Sequence, residues 1–546
     1  MSNESFDPIT LEVLWGRLIA IVDEAAVTLI RTSFSTVVRE SFDFSCVLTD
    51  SRGNSLAQAT LSIPSFIGTL PQTVKHFLRF FPEETLRPGD VLITNDMWLG
   101  TGHLPDINVA RPIFRDGHLI AWAASVAHAP DIGGKIRSPD PRDVFEEGLQ
   151  IPPMKLSDGG EINEVLLQVV RANVRVPDQV VGDLWAQVAA LDISEQRLVG
   201  MMEEYDLEEV DELAAAIQGV SESAMRSAIT ALPDGDYVHE LQTDGLTVPI
   251  TLHLKLTVQG DRIHCDFTGS SDQVDRALNV VPSYRDAFTM YAIKCALSPY
   301  VPNNEGAFRP ITLHAPEGSI LNPRFPAAGG CRVLVGHYLP TLVFTALSEL
   351  IPDRIMAATG SPVWCINVGG VTAKGRRVST MFFFNGGTGA ARLRDGYTCL
   401  SFPSNVSNTP VELMESNAPW TIESKALVSD SGGAGRHRGG LGQSVKLCIA
   451  SPSTVSVSFL AERTQFPAPG LFSGEAGGSG AVLLNDQPID PKVTHIVQTG
   501  DILELRTPGG GGVGAPKERS QDALRQDIEE GYVSVVRARD IYGAMD

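Results

Sequence analysis

The feature that most constrains this fold is an alternating run of residues that reverses direction between two glycine-rich loops. Residues 106–114 and 119–127 each alternate as β-strands do, and a polar turn reading Arg-Asp-Gly-His separates them. A β-hairpin places the first residue of one strand beside the last residue of the other. The sequence therefore predicts that His128 returns to lie beside Asp106, at the open end of the hairpin.

Three residues around this hairpin have the chemistry of ligands to a catalytic divalent metal: His103, Asp106 and His128. The first two are three apart, in and after a loop rich in glycine and proline at 100–105, which a regular helix would not tolerate. Two imidazoles and one carboxylate leave coordination positions open for water or substrate. The alternative is that the histidines are ordinary hydrogen-bonded or surface side chains, because an H-x-x-D pair alone is not specific for metal.

Charge and cysteine usage exclude several classes of protein. The formal net charge is -22, which disfavours binding to nucleic acid or to an anionic membrane surface. The 7 cysteines are scattered without C-x-x-C spacing, which is typical of free thiols rather than of a disulfide framework or a zinc ribbon. The N-terminus is polar and acidic, unlike a signal peptide. We therefore expect a cytoplasmic protein.

The order of patterns along the chain predicts a mixed α/β (α+β) fold. A helix should begin at Asp7-Pro8, because Asp can cap it and Pro fits its first turn. Residues 135–162 are rich in Pro, Asp and Gly and should form an irregular cover over the site. We divide the chain into an N-terminal metal-binding α/β region (1–175), a helical region (176–232), a mixed α/β region (233–420) and a glycine-rich β region with a C-terminal helix (421–546).

Glycine-rich stretches in the second half resemble nucleotide loops only superficially. Gly509, Gly511 and Gly514 satisfy G-x-G-x-x-G, but too little chain follows them for the βαβ units of a dinucleotide fold. Gly134-Lys135 is followed by Ile136 where a phosphate loop needs Ser or Thr. We predict no nucleotide-binding residues in this chain, and we expect these glycines to allow close backbone packing or to line a partner surface.

Three longer motifs carry a resemblance to a known family. They read NDMWLGTGHLPDI, AHAPDIGG and EEGLQIPPMKL. The chain resembles the hydantoinase B/5-oxoprolinase family, which includes the large subunits of acetone and acetophenone carboxylases. The resemblance extends from Asp7 to the glycine-rich segment that ends at Pro516. It implies that ATP and Mg are bound by a separate hydantoinase A-type subunit, and that this chain completes the reaction in a hetero-oligomer.

The resemblance also implies roles for individual residues. One divalent metal (Zn, Fe or Mn) would be bound by His103, Asp106 and His128, and Asp43 would be a fourth or bridging ligand. Glu40 or Asp131 would relay a proton. Lys155, Arg175 and Asp183 are substrate-binding or supporting residues in this interpretation; for Lys155, an ordinary surface lysine is the competing interpretation.

The family resemblance leaves the reaction open among three possibilities. The leading one is a metal-dependent subunit of an ATP-dependent cyclic-amide hydrolase, in which water attacks a substrate activated by the partner. The alternative is a subunit of an ATP-dependent ketone carboxylase, and a third possibility is a non-catalytic scaffold subunit. Many hydrolase-type relatives carry a second histidine directly after the first in A-H-H-A-D-x-G-G. Here Ala129 occupies that position, which leaves any particular substrate in doubt.

Overall fold

The first part of the chain is organised around a seven-stranded antiparallel sheet. The computed structural model describes residues 6–360 and 363–544, and it confirms the mixed α/β fold class with a β-rich second half. The strands lie in the order β2-β1-β5-β4-β3-β6-β7. They are β1 (Phe44–Asp50), β2 (Ser55–Gln58), β3 (Val91–Thr94), β4 (Asp106–Arg115), β5 (His118–His128), β6 (Met154–Asp158) and β7 (Glu161–Ile162).

The predicted hairpin is confirmed and lies in the middle of this sheet. Strands β4 and β5 pair along their length, and Asp106 is the register partner of His128. Asp116 and Gly117 form the turn with φ of 51° and 82°, a left-handed pair that matches the twist of antiparallel strands. Both hairpin strands have neighbours on their outer edges, so the hairpin ends are held by the whole sheet.

Helices cover the sheet and close the N-terminal core. The first helix begins as predicted, because the Asp7 side chain accepts hydrogen bonds from the amides of Ile9 and Thr10 at 3.0 and 3.1 Å. Helices α1, α3 and α6 contact the sheet, and α1 packs along α6. The helices up to residue 230 are α1 (Pro8–Thr32), α2 (Thr36–Arg39), α3 (Pro64–Phe80), α4 (Val144–Glu147), α5 (Glu164–Asn173), α6 (Pro177–Glu204) and α7 (Val210–Thr230).

The expectation that residues 135–162 are irregular throughout is wrong at the C-terminal end of that segment. Strand β6 pairs with β3 and extends the large sheet, and β7 follows as its edge. A strand of this length has little periodic signal of its own, and it is defined by a partner strand far earlier in the chain. The part before β6 is irregular apart from the single turn of α4.

A second, four-stranded sheet follows, and a group of helices packs beside it. Its strands are ordered β11-β10-β9-β8, and α10 packs on β8 and β9. One cluster of buried apolar side chains includes Leu14, Leu198, Leu254 and Leu342, so it runs through the first three predicted regions. The elements are β8 (Gly235–Thr243), β9 (Ile250–Gln259), β10 (Arg262–Asp266), β11 (Ile311–His314), α8 (Pro282–Leu297), α9 (Val333–Gly336) and α10 (Leu339–Ala346).

The last third contains two sheets packed face to face. Their orders are β13-β12-β16-β19 and β14-β15-β20-β17-β18. Trp364 and Ile366 face the second sheet, whereas Cys365 between them joins the N-terminal core, as the two-residue period of a strand requires. The elements are β12 (Trp364–Val371), β13 (Arg377–Phe384), β14 (Trp420–Leu427), β15 (Gln443–Ile449), β16 (Val455–Leu460), β17 (Ala481–Leu484), β18 (Gln487–Pro488), β19 (His495–Val497), β20 (Ile502–Arg506), α11 (Val411–Asn417), α12 (Gln521–Glu529) and α13 (Val535–Arg537).

Glycine-rich segments form a further unit, here called the glycine core, from residues 386–390, 431–440, 474–480 and 508–513. Their backbones pack directly on one another and exchange hydrogen bonds: the amides of Gly509, Gly510, Gly511 and Gly512 donate to carbonyls of other segments at 2.9–3.1 Å. A nucleotide phosphate could not use these amides without breaking those bonds. The expected close backbone packing is therefore what these glycines provide.

A methyl group at Gly510 should strongly destabilise the glycine core. A Cβ there would lie 1.9 Å from the Thr388 carbonyl oxygen, so backbone must shift, and we expect Gly510→Ala to cost about 3 kcal/mol or more of unfolding free energy. Gly219→Ala is the matched control: its Cβ meets nothing within 4 Å in helix α7, and it should stabilise by about 1 kcal/mol. Denaturant unfolding measures both changes, and equal stability of the two variants would contradict this packing.

None of the helices in the described residues has the length and apolar character that a membrane crossing needs.

Candidate metal centre

The sheet and one loop bring His103, Asp106 and His128 together. Asp106 begins β4, His128 ends β5, and His103 lies in the loop that follows β3. All three are buried, with exposed fractions of 2%, 0% and 2%. One ligand atom from each lies within 4.8 Å of the others. The three residues that sequence spacing predicted as metal ligands are thus neighbours in the interior.

Their separations are those of donors arranged around one ion. Asp106 Oδ1 lies 2.8 Å from His103 Nε2 and 2.9 Å from His128 Nδ1. Two ligands each about 2.1 Å from a metal and about 90° apart would themselves be about 3 Å apart. The two contacts of Asp106 therefore have the spacing of neighbouring ligands of one cation, and the contact with His128 also has the length of a hydrogen bond.

The hydrogen bonding of the imidazoles also fits a cation. His103 Nδ1 lies 3.1 Å from the Gly330 carbonyl oxygen, which can only accept, so the proton belongs on Nδ1 and Nε2 carries a lone pair. Nε2 of His103 is buried and has no hydrogen-bond partner in the described part of the chain. His128 forms a hydrogen bond with Asp106 through Nδ1, and its buried Nε2 has no partner among the same residues. Burial and the charge of Arg332 lower the pKa of His103 well below its ordinary value, which keeps the ring neutral and able to bind metal.

Asp106 is ionised because of its neighbours. Burial alone would raise its pKa, but the Arg332 guanidinium and the hydrogen bond with His128 hold that pKa well below the ordinary range. Arg332 Nη2 donates to Asp106 Oδ2 at 2.8 Å, and the Thr101 hydroxyl donates to the same oxygen at 3.0 Å. One carboxylate oxygen is therefore held by protein donors, and the other faces the two imidazoles.

Asp43 lies beside this cluster, and Glu40 lies further away. Strand β1 pairs with β5 so that the Asp43 carbonyl accepts the His128 amide at 3.0 Å, and Asp43 Oδ2 is 3.9 Å from His128 Nδ1. Burial raises the pKa of Asp43. Its role as a fourth ligand stays a prediction. Glu40 is half-buried in the turn after α2 and does not line the cavities around the cluster.

Two adjoining cavities meet at His128 and Arg137. The first, here called the metal cavity, is lined by the three clustered residues, Asp43 and a group of side chains from 284–337. The second, the adjoining cavity, is lined by Asp131, Glu147, Ser379 and Met381 among others. The cluster therefore borders open space rather than solid protein.

Asp131 and Glu147 present two different carboxyl groups to the adjoining cavity. Asp131 is held by the backbone amide and the guanidinium of Arg175, so these two predicted site residues form an ion pair. Glu147 accepts a hydrogen bond from the Gly330 amide, while its Oε2 has no partner among residues 6–360 and 363–544. Burial raises the pKa of Glu147 to about 7. Of the two, Glu147 is the carboxyl group suited to exchange a proton near neutral pH.

The remaining predicted residues lie outside both cavities. Lys155 on β6 forms ion pairs with Asp90 and Asp158, each at 2.8 Å, and its role in substrate binding stays a prediction. Asp183 accepts hydrogen bonds from the amides of Phe34 and Ser35 at 2.6 and 3.1 Å. It therefore ties α6 to the turn between α1 and α2.

Sequence reasoning missed four side chains that line the metal cavity. Arg332 stacks its guanidinium 4.1 Å from the Tyr284 ring centroid, and the Tyr284 hydroxyl is 2.8 Å from His337 Nε2. Arg137 is the fourth of these side chains. Arg137 lies in the segment 135–162 that was predicted to cover the site. Arg332 and His337 lie in the segment GGCRVLVGH at 329–337, whose glycines and histidine had no recognised spacing relative to residues 95–134.

Comparisons with known proteins agree on the type of protein. Residues 7–516 match the family model for hydantoinase B/oxoprolinase. A Pseudomonas protein (strain NS671), provisionally described as the B-type component of a D-/L-hydantoinase, is 30% identical; the alignment covers 99% of this chain and 95% of that protein.

Two solved structures share the fold over 99% of this chain. The ATP-dependent caprolactamase of Pseudomonas jessenii is 26% identical, with a TM-score of 0.89 and 97% of its chain covered. An acetone carboxylase in a nucleotide-free structure is 19% identical, with a TM-score of 0.87 and 80% of its chain covered. The second likeness shows the fold alone.

Proposed function

The chain belongs to the hydantoinase B/oxoprolinase family, and from this premise we propose that it is the metal-dependent catalytic subunit of an ATP-dependent cyclic-amide hydrolase. The observation that carries the proposal is the buried cluster of His103, Asp106 and His128 beside a cavity. A scaffold subunit would have no need of two buried imidazoles with unpartnered nitrogens. The similarity to a caprolactamase supports an amide as substrate.

In this proposal the cluster binds the ion, and neighbouring groups hold the ligand side chains in their orientations. His103 is oriented by the Gly330 carbonyl, and Asp106 is oriented by Arg332 and Thr101, as supporting hydrogen bonds commonly do in metal sites. Asp43 would be a fourth or bridging ligand. A divalent cation here would act as a Lewis acid and lower the pKa of water at an open position from about 15.7 towards 7.

The ring-opening step also needs a proton for the leaving nitrogen. The oxygen of a first water would bond to the activated amide carbon, and the protonated ring nitrogen would leave it, which gives an acyl phosphate. A second water would then displace the phosphate from that carbon and give the carboxylate. Glu147 could donate this proton because its pKa is raised to about 7 by burial. Asp131 would be the alternative relay, but its carboxylate already accepts from Arg175. We therefore add Glu147 to the residues proposed for catalysis.

ATP would be used by a hydantoinase A-type partner, because relatives of this chain are described as one subunit of such enzymes. We predict that the isolated chain binds ATP no more tightly than about 1 mM. The physical reason is that the amides of the glycine core are already engaged. Isothermal titration calorimetry measures this affinity directly. Micromolar binding of ATP by the chain alone would contradict the proposal that the partner subunit binds ATP.

A ketone carboxylase is the second candidate, supported by the fold shared with acetone carboxylase. Ala129 is relevant to the choice: it is buried and lines the adjoining cavity. That position therefore supplies no imidazole for hydrogen bonding to a substrate. The same metal cavity would then hold hydrogen carbonate and an activated ketone.

One experiment separates the two reactions. The complex purified through a tag on this chain should be assayed for ATP use with hydantoins, lactams and ketones, with and without isotopically labelled bicarbonate. ATP-dependent ring opening without incorporated label is the result expected from the hydrolase proposal. Incorporation of label into a ketone-derived product would reject it in favour of carboxylation.

A further inference from the structure

Arg332 has more hydrogen-bonding capacity than its protein neighbours use. Its side chain is 3% exposed and one nitrogen, Nη2, donates to Asp106 at 2.8 Å. Nε and Nη1 are buried and have no hydrogen-bond partner within the described residues. Burying charged donors without partners is unfavourable, so these two nitrogens indicate a missing acceptor in the metal cavity.

Arg137 is a second cation on the same cavity, and it lacks a carboxylate partner. Its Nε donates to the Gly330 carbonyl at 3.0 Å, and its Nη1 is 3.6 Å from the Met381 sulfur, which is a weak acceptor. No ion pair involves Arg137 among the described residues. Its charge therefore lines the metal cavity without a paired carboxylate among the described residues.

The balance of charge in the metal cavity favours an anionic ligand. Its lining contains two carboxylates, Asp43 and Asp106, and two guanidiniums, Arg137 and Arg332. These charges cancel, and His337 is neutral because burial lowers its pKa well below the ordinary value. A divalent cation bound by the cluster would therefore leave about two positive charges in a buried space, which an anion must compensate.

We propose that Arg137 and Arg332 form an oxyanion subsite beside the metal cluster, which binds the phosphoryl group of the activated substrate. This inference rests on the proposed function, in which the partner phosphorylates the amide oxygen. A phosphoryl dianion matches the surplus charge, and its several oxygens can accept from separate donors on two guanidiniums. The subsite would hold the leaving phosphate next to the carbon that water attacks.

Phosphate binding by the metal-loaded full-length chain tests the subsite without relying on turnover. Calorimetry with inorganic phosphate and with methyl phosphate should show that both bind. Arg137→Met should lower the affinity for each of the two ligands by about tenfold or more, as expected for a lost charge-assisted hydrogen bond. The metal content of this variant should not change. The matched control is Arg377→Met, an exposed arginine outside the metal cavity, which should change affinity by less than about twofold.

The subsite would be overturned if the metal-loaded chain bound no phosphate, or if Arg137→Met bound phosphate as tightly as wild type. It would also be overturned if methyl phosphate failed to bind, or if hydrogen carbonate bound more tightly than phosphate. Arg137→Lys should retain part of the affinity, since it keeps the charge. If phosphate fails to bind while the complex still opens rings with ATP, only the subsite is rejected. If phosphate binds but no substrate is hydrolysed, the proposed function fails instead.

Discussion

Replacing Asp106 by asparagine should reduce product formation by the complex about 100-fold or more. Asparagine keeps the shape of the side chain but removes the charge that faces both imidazoles and pairs with Arg332. The cation would be held less tightly, and the buried guanidinium would lose its counter-ion. Product formation and ATP hydrolysis should be measured together. If the partner activates substrate independently, ATP hydrolysis should continue without product.

The matched control is Asp50→Asn, at the other end of strand β1 from Asp43. Asp50 is also buried, at 2% exposure, and among the described residues its carboxylate accepts hydrogen bonds only from residues 52 and 54 of the β1–β2 turn. It should show product formation within about twofold of wild type. A fully active Asp106→Asn complex would reject metal-dependent catalysis for both the hydrolase and the carboxylase.

Removing either imidazole should release the metal. The purified chain should contain about one divalent ion, and His103→Ala or His128→Ala should retain less than about one-tenth of that amount, because each deletes one of three or four ligands. Elemental analysis of protein dialysed against buffer measures the content and also distinguishes Zn, Fe and Mn.

His239→Ala is the control for these variants. His239 is a half-buried histidine of β8 in the second sheet, away from both cavities, so this variant should keep its full metal content. Circular dichroism should confirm that all three variants are folded. Equal metal in wild type, His103→Ala and His128→Ala would disprove the assignment of the cluster.

The part of the site that the sequence predicts is the part defined by local pairing. Asp106 and His128 come together because a two-residue period and a turn signal lie within one hairpin, and both are visible in a short window. Arg332 reaches Asp106 from 226 positions later in the chain. Its position depends on how α8 packs on α3 and how α9 packs on α8, which no local pattern encodes.

Motif resemblance located individual residues without revealing what they do. The family resemblance suggested a substrate-binding or supporting role for Asp183. In the structure a Cβ at Gly182 would lie 2.4 Å from the Phe34 ring, and Asp183 caps the adjacent amides. In this chain both residues serve the close packing of α6 against the α1–α2 turn, a constraint that residue identity alone cannot distinguish from ligand binding.

The glycine core has a consequence for how stability is distributed in this protein. Its segments have neither helix nor regular strand in most positions, yet their amides are buried and hydrogen-bonded to neighbouring segments. Amide protons exchange with solvent only when such bonds open. In deuterium-exchange experiments, residues 509–512 should therefore rank with the central strands β4 and β5 among the slowest positions. A region that looks like loop by secondary structure would behave as one of the most rigid parts of the chain.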